Sequence, residues 1–268
     1  MTTMVSAVES PTRPTRAVPK TIPTSRLVSV ELRKMFNTRS GFWLMASIGI
    51  TAVLATGAVI LWAPDSEVSY ETFAAAFGFP MAVILPIVAI LSVTSEWSQR
   101  NGLTTFTMVP HRGRVIGAKA IAALIVGVVS MALAAVIGAV GNIVGSALNG
   151  TDVVWNVSVE DFALIVLGNV LGMIIGFMLG VLIRNSAAAI VAYLVYSFVL
   201  PGAFMVLANL QEWFRDLQPW VDINYAQAPL FNGEVSTEQW ANLGVSSIVW
   251  VVVPLLAGLT LVMRSEVK

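Results

Sequence analysis

The chain lacks cysteine, has one histidine, and is poor in charge: charged residues make up 11% of its 268 positions and the net charge is zero. Without cysteine there are no disulfides, thiolate metal sites or cysteine nucleophiles. His111 stands among arginines with no second ligand or partner for base catalysis, so neither a metal site nor a catalytic imidazole is expected. No His-Glu-x-x-His, Gly-x-Ser-x-Gly or Gly-x-x-x-x-Gly-Lys-Ser/Thr occurs, which leaves no catalytic motif and no phosphate-cradling loop on this chain. A balanced charge also offers no electrostatic footprint for nucleic acid.

Charge is missing most completely from six apolar runs, Phe42–Trp62, Phe73–Ser95, Ala120–Leu148, Phe162–Ile183, Ala187–Ala208 and Leu243–Met263. Each reaches the ~20 residues with which a helix crosses about 30 Å of hydrocarbon. Hydrophobic residues are 57% of the whole. A soluble fold would have to bury six helices on all sides, which surface-to-volume scaling does not allow at this length. The expected fold is therefore all-α, a polytopic membrane protein of six spans. Ion-driven carriers usually keep an ionisable residue inside the membrane. These runs hold none, so uphill transport would draw its energy from another subunit.

Basic residues set the orientation. With the N-terminus inside, fourteen of the fifteen Lys and Arg fall on the inner side and only Arg215 falls outside. Acidic residues gather in the outer connections, Asp65 to Glu71, Asp152 to Asp161 and Glu212 to Glu238. The expected topology is N-in, C-in. No cleavable signal-peptide pattern occurs in residues 1–40, so the first span is expected to direct insertion.

Three divisions follow. Residues 1–24, rich in Ser, Thr, Pro and Arg, read as a disordered basic arm. Residues 25–40 read as an amphipathic interfacial helix, with Val28, Leu32, Met35 and Phe36 on one face and Arg33, Lys34 and Arg39 toward the other. It either anchors on anionic lipid or also touches a partner at the inner surface. Residues 41–268 form the six-span domain.

Between spans two and three lie the twenty-four residues from Glu96 to Lys119, far more than a plain connection needs. They place Leu103, Phe106, Met108 and Val109 on the aqueous side, as membrane-surface or partner contacts do. Glu96 stands where span two ends, and Arg100 follows at the spacing of a favourable helical pair. Pro110 ends the short element, and Arg112, Arg114 and Lys119 lead into span three.

An acid at the end of span two, Gly102-x-Thr104, Pro110 and the Arg112…Arg114…Lys119 run resemble the permease subunits of ABC-2-type exporters. The layout resembles them along the whole chain: amphipathic helix, six spans, this inner segment and a long outer segment. Many relatives have adjacent Gly-Thr where this chain has Leu103 between them. The resemblance implies that residues 96–119 form a coupling helix docked on a separate ATP-binding subunit. It implies two such subunits holding ATP and Mg, with no cofactor on this chain. It further implies a second permease copy or a similar permease, a bacterial plasma-membrane location, and export of a hydrophobic or amphipathic small molecule or lipid.

Other patterns concern packing. Gly168, Gly172, Gly176 and Gly180 make a small-residue groove along span four, and Gly141 and Gly145 a shorter one on span three. Such grooves serve packing within one subunit or a seam between subunits. Pro80, Pro86, Pro201 and Pro254 are expected to kink spans two, five and six. Asn142 and Asn169 are expected to hydrogen-bond between helices. In the outer segment 209–242, Leu210, Trp213, Phe214 and Leu217 read as one helical face, with Trp220 and Trp240 beside it. That segment is either an aromatic belt or, as the resemblance implies, a pair of short helices closing the exit. A self-sufficient carrier or channel is the alternative function; an intramembrane enzyme lacks the side chains.

Overall fold

The computed structural model describes residues 22–98 and 112–264. The described chain is helical with no strand, and six of its helices are long and apolar enough to cross a membrane. Helix α1 (Thr24–Asn37) precedes span one, α2 (Arg39–Trp62). Span two is α3 (Tyr70–Ser98), span three α4 (Arg112–Asn149) and span four α5 (Val159–Ile183). Span five joins α6 (Ser186–Leu194), a π-helical turn (Val195–Val199) and α7 (Leu200–Leu210). Two short outer helices follow, α8 (Glu212–Val221) and α9 (Ile223–Gln227), then a 3₁₀ turn, Ala228–Phe231. Span six joins α10 (Thr237–Ser247), a π-helical turn (Ile248–Val252) and α11 (Val253–Arg264). The chain is an all-α, multi-pass membrane protein.

Several helices outrun their apolar runs. Span two continues past Ser95 to Ser98, and span three begins at Arg112 rather than Ala120. Much of the expected 96–119 connection is thus helix, because i→i−4 bonding does not stop at the hydrocarbon edge. The outer segment shortens for the same reason: α10 starts at Thr237, five residues before Asn242, with Ser236 and Gln239 forming a capping box.

α1 ends at Asn37, short of the expected residue 40. Thr38 is extended and its side chain caps α2 by accepting from the Gly41 N–H. A Cβ at Gly41 would overlap the Met35 carbonyl oxygen, so glycine lets the two helices meet at this corner.

Span four lies at the centre of the packing. A Cβ at Gly176 would come within 2.7 Å of the Pro86 carbonyl oxygen on span two, and one at Gly180 within 2.5 Å of Val93. At Gly168 it would meet the Phe231 ring at 2.6 Å. The groove therefore closes inside this subunit. Gly172 is looser, with its nearest atoms, on Pro86 and Tyr193, at 3.6 Å. Around span four, one apolar cluster joins spans one to four through Phe73, Phe77, Leu85 and Met173. A second joins spans two, four, five and six through Ile90, Ile175, Tyr193 and Val251.

The prolines act through hydrogen bonding. α3 runs unbroken through Pro80 and Pro86. Pro86 has no N–H for the Ala82 carbonyl, and the Tyr193 hydroxyl donates to it instead at 2.7 Å. In span five, Leu200 N–H reaches back to Val195, and Pro201 has none to offer. The Tyr196 carbonyl therefore loses its helical donor, and Asn224 Nδ2 approaches it at 3.4 Å. Span six repeats the device: Val253 N–H reaches Ile248 one residue before Pro254.

Candidate functional site

The inner end of the molecule concentrates its buried charge. Lys119, seven residues into α4, exposes 2% of its side chain, and Glu96, near the end of α3, exposes 5%. Their Nζ and Oε1 atoms lie 2.9 Å apart. Lys119 also donates to Glu31 Oε2 of α1, whose side chain is 9% exposed. Lys34, one turn along α1, lies 2.8 Å from Glu31 Oε1 and 3.3 Å from Glu96 Oε1. Two carboxylates and two ammonium groups thus join three helices into one neutral cluster.

The physical logic is compensation. A carboxylate buried without a partner costs several kcal/mol, whereas one held by two lysines is matched in charge and in hydrogen bonds. Burial works against the Lys34 charge, but hydrogen bonds and attraction from Glu31, then Glu96, outweigh it and raise its pKa above the ordinary 10.5. Arg114, one turn before Lys119, donates to the Ile22 carbonyl and ties the entry to α1 to the same helix.

Glu96 and Lys119 bracket residues 99–111. The inner connection between spans four and five is far shorter: Arg184, at φ 57°, ends α5, and Asn185 caps α6. One inner connection is as tight as backbone geometry permits, while the other carries an extra segment between braced ends.

Of the expected coupling residues, Glu96, Arg112 and Arg114 stand on helices at the ends of this segment. Arg100, Gly102, Leu103, Thr104, Phe106, Met108 and Pro110 lie outside the described residues, as do most of the expected arm 1–24 and His111. Lys119, read as marking the mouth of span three, is buried in helix and answers Glu96.

The α1 face carries an acid that the apolar spacing did not announce. Its buried residue is Glu31; Val28, Leu32 and Met35 are half-buried, and Phe36 is 50% exposed. Glu31 shares the apolar side because Lys119 waits there.

Beside the ion cluster lies a cavity of about 440 Å³. α1, span one, span two and the start of span five enclose it. Lys34, Glu31 and Glu96 line one end, Met35, Leu44, Met45, Val88 and Leu91 the walls, and Ser92, Ser95 and Ser186 add hydroxyls.

At the outer end, the expected single aromatic face divides. Leu210 belongs to α7; within α8 Phe214 is buried against Phe204, while Trp213, Leu217 and Trp220 are exposed. Asp222 caps α9 and accepts from Gln218 Nε2 at 3.1 Å. The asparagines bond differently from expectation. Asn142 Nδ2 donates to the Val154 carbonyl in the connection between spans three and four, and Asn169 Nδ2 to Ile165 within its own helix. Each satisfies nearby backbone before any neighbouring span. Among the described residues there is no cluster of His, Asp and Glu suited to a metal ion.

Comparison with models of known families and with curated proteins finds no match.

Proposed function

We propose that this chain is the permease subunit of an ATP-driven ABC-2-type exporter in a bacterial plasma membrane. It would move a hydrophobic or amphipathic substrate outward while separate subunits bind and hydrolyse ATP with Mg. Two ATP-binding subunits and a second permease, identical or similar, would complete the assembly. The observation that carries the reading is the braced inner segment: Glu96 and Lys119 pair across residues 99–111, and Glu31 and Lys34 lock α1 to the same point.

In this reading the segment's apolar residues Leu103, Phe106 and Met108 seat on the ATP-binding subunit. A push there reaches spans two and three directly and α1 through the buried ions. A rigid charged junction suits that role because ion pairs held by three helices transmit displacement rather than absorb it. The uncharged spans agree with an energy source outside the membrane domain. Affinity purification of the tagged full chain from its native membrane tests the reading. An ATP-binding subunit in stoichiometric amount is the expected result, and substrate movement without any such subunit would refute it.

A further inference from the structure

The cavity beside the ion cluster has walls of hydrocarbon and one charged end, and it lies where spans one and two leave the membrane on the basic side. We propose that it binds the head and upper chains of an anionic inner-leaflet phospholipid, with the phosphodiester on Lys34. This site goes beyond the exporter reading and does not depend on it.

Charge accessibility decides the sign of the ligand. Glu31 and Glu96 line the cavity, but their carboxylates are 9% and 5% exposed and turned onto Lys119 and Lys34. Lys119 is sealed behind them at 2%. Lys34 alone of the four is open, with 45% of its side chain exposed. An ammonium has three N–H donors, and two of these serve the carboxylates, leaving one for an incoming oxygen. Arg33, the residue before Lys34 on α1, and Arg39, which opens α2, are exposed and add to the positive field of this end. A cationic amphiphile would meet this ammonium rather than a carboxylate.

Shape and lining agree with a lipid. About 440 Å³ accommodates a phosphoglycerol head and the first chain carbons, and lies within the size range of small-molecule sites. The Ser92 hydroxyl donates to Ala89 and keeps its lone pairs for a glycerol hydroxyl. Met35 and Met45 supply flexible, polarizable walls along which acyl chains of different length can pack.

The test uses the full chain, purified in mild detergent and titrated with phosphatidylglycerol, phosphatidylcholine or inorganic phosphate. Lipid retained on the protein is read by native mass spectrometry, beside the unfolding temperature. Phosphatidylglycerol should be retained and should raise the unfolding temperature; phosphatidylcholine and phosphate should do neither. Lys34→Gln should weaken retention about fivefold, the worth of one surface lysine against an anionic lipid, while Lys34→Arg should preserve it. Ser92→Phe fills the cavity without changing its charge and should abolish retention, whereas Ser92→Ala should retain the lipid. Equal retention of the two lipids, stabilisation by phosphate alone, or undiminished retention by Ser92→Phe would overturn the proposal. Should Lys34→Gln fail to fold, the two Ser92 variants decide. Because no ATP-binding subunit enters the assay, its outcome is independent of the exporter reading.

Discussion

Replacing Lys119 by methionine would show how much the buried ion cluster contributes. Methionine nearly matches the aliphatic stem, so the perturbation is the loss of one charge from among four. Glu96 and Glu31 would stay buried at 5% and 9% exposure with Lys34 between them, at 3.3 and 2.8 Å. Removing one partner from a buried pair typically costs about 3–5 kcal/mol, because the remaining charge is stranded. Lys34 still answers both acids, which places the expected loss near the lower end, about 3 kcal/mol. The second arm is Lys119→Met combined with Glu31→Gln, which leaves one carboxylate, Glu96, against one ammonium, Lys34. It removes the stranded charge and should recover most of the stability, to within about 1 kcal/mol of the parent. Equilibrium unfolding of the full chain in bicelles, by titration with a denaturing detergent, reads both. A loss under about 1 kcal/mol for Lys119→Met, or a double variant no better than the single one, would refute the stranded-charge argument.

Three further outcomes are expected. Gly176→Ala drives a methyl toward the Pro86 carbonyl and should cost about 1–3 kcal/mol, whereas Gly172→Ala, with 3.6 Å of room, should stay within about 0.5 kcal/mol in the same unfolding assay. Tyr193→Phe strips the donor from the Ala82 carbonyl that Pro86 leaves open and should cost about 1 kcal/mol, and an unchanged unfolding midpoint would show that another donor reaches that carbonyl. Because the Lys34 pKa is raised on folding, its contribution is fully present below the ordinary 10.5 and is lost as pH climbs through the raised folded value; stability should stay level across neutral pH in this respect and fall in the alkaline range, less steeply in Lys34→Met.

The six spans were legible because length and the absence of charge are lipid's own requirements, and the chain meets them openly. The helical extensions were not. Hydropathy reports where hydrocarbon ends, and α4 carries Arg114 and Lys119 beyond that edge without breaking its backbone ladder. The ion cluster also escaped, since Glu31 and Lys119 are 88 positions apart and nothing in the local pattern joins them. A signal was present: Glu31 lies three residues from Val28 and four from Met35, on the apolar face of α1 where an unpaired acid would be costly. The glycine groove was readable as close packing, yet its contents were not, because small residues announce room without saying what fills it. Pro86, Pro201 and Pro254 promised kinks, but the replacement donors Tyr193 and Asn224 come from other elements and leave no local pattern.

In the proposed exporter, residues 99–111 dock an ATP-binding subunit and the Glu96–Lys119 brace passes its movement to the spans. The most direct measurement is the amount of ATP-binding subunit copurified per permease, taken with substrate-stimulated ATP hydrolysis in lipid discs. Leu103→Asp with Phe106→Ala should release the subunit while the six spans stay folded, since each buried apolar side chain lost removes about 1.5–3 kcal/mol of contact. Glu96→Ala should keep the subunit bound and abolish the stimulation. Full binding and full stimulation in both variants would contradict the account.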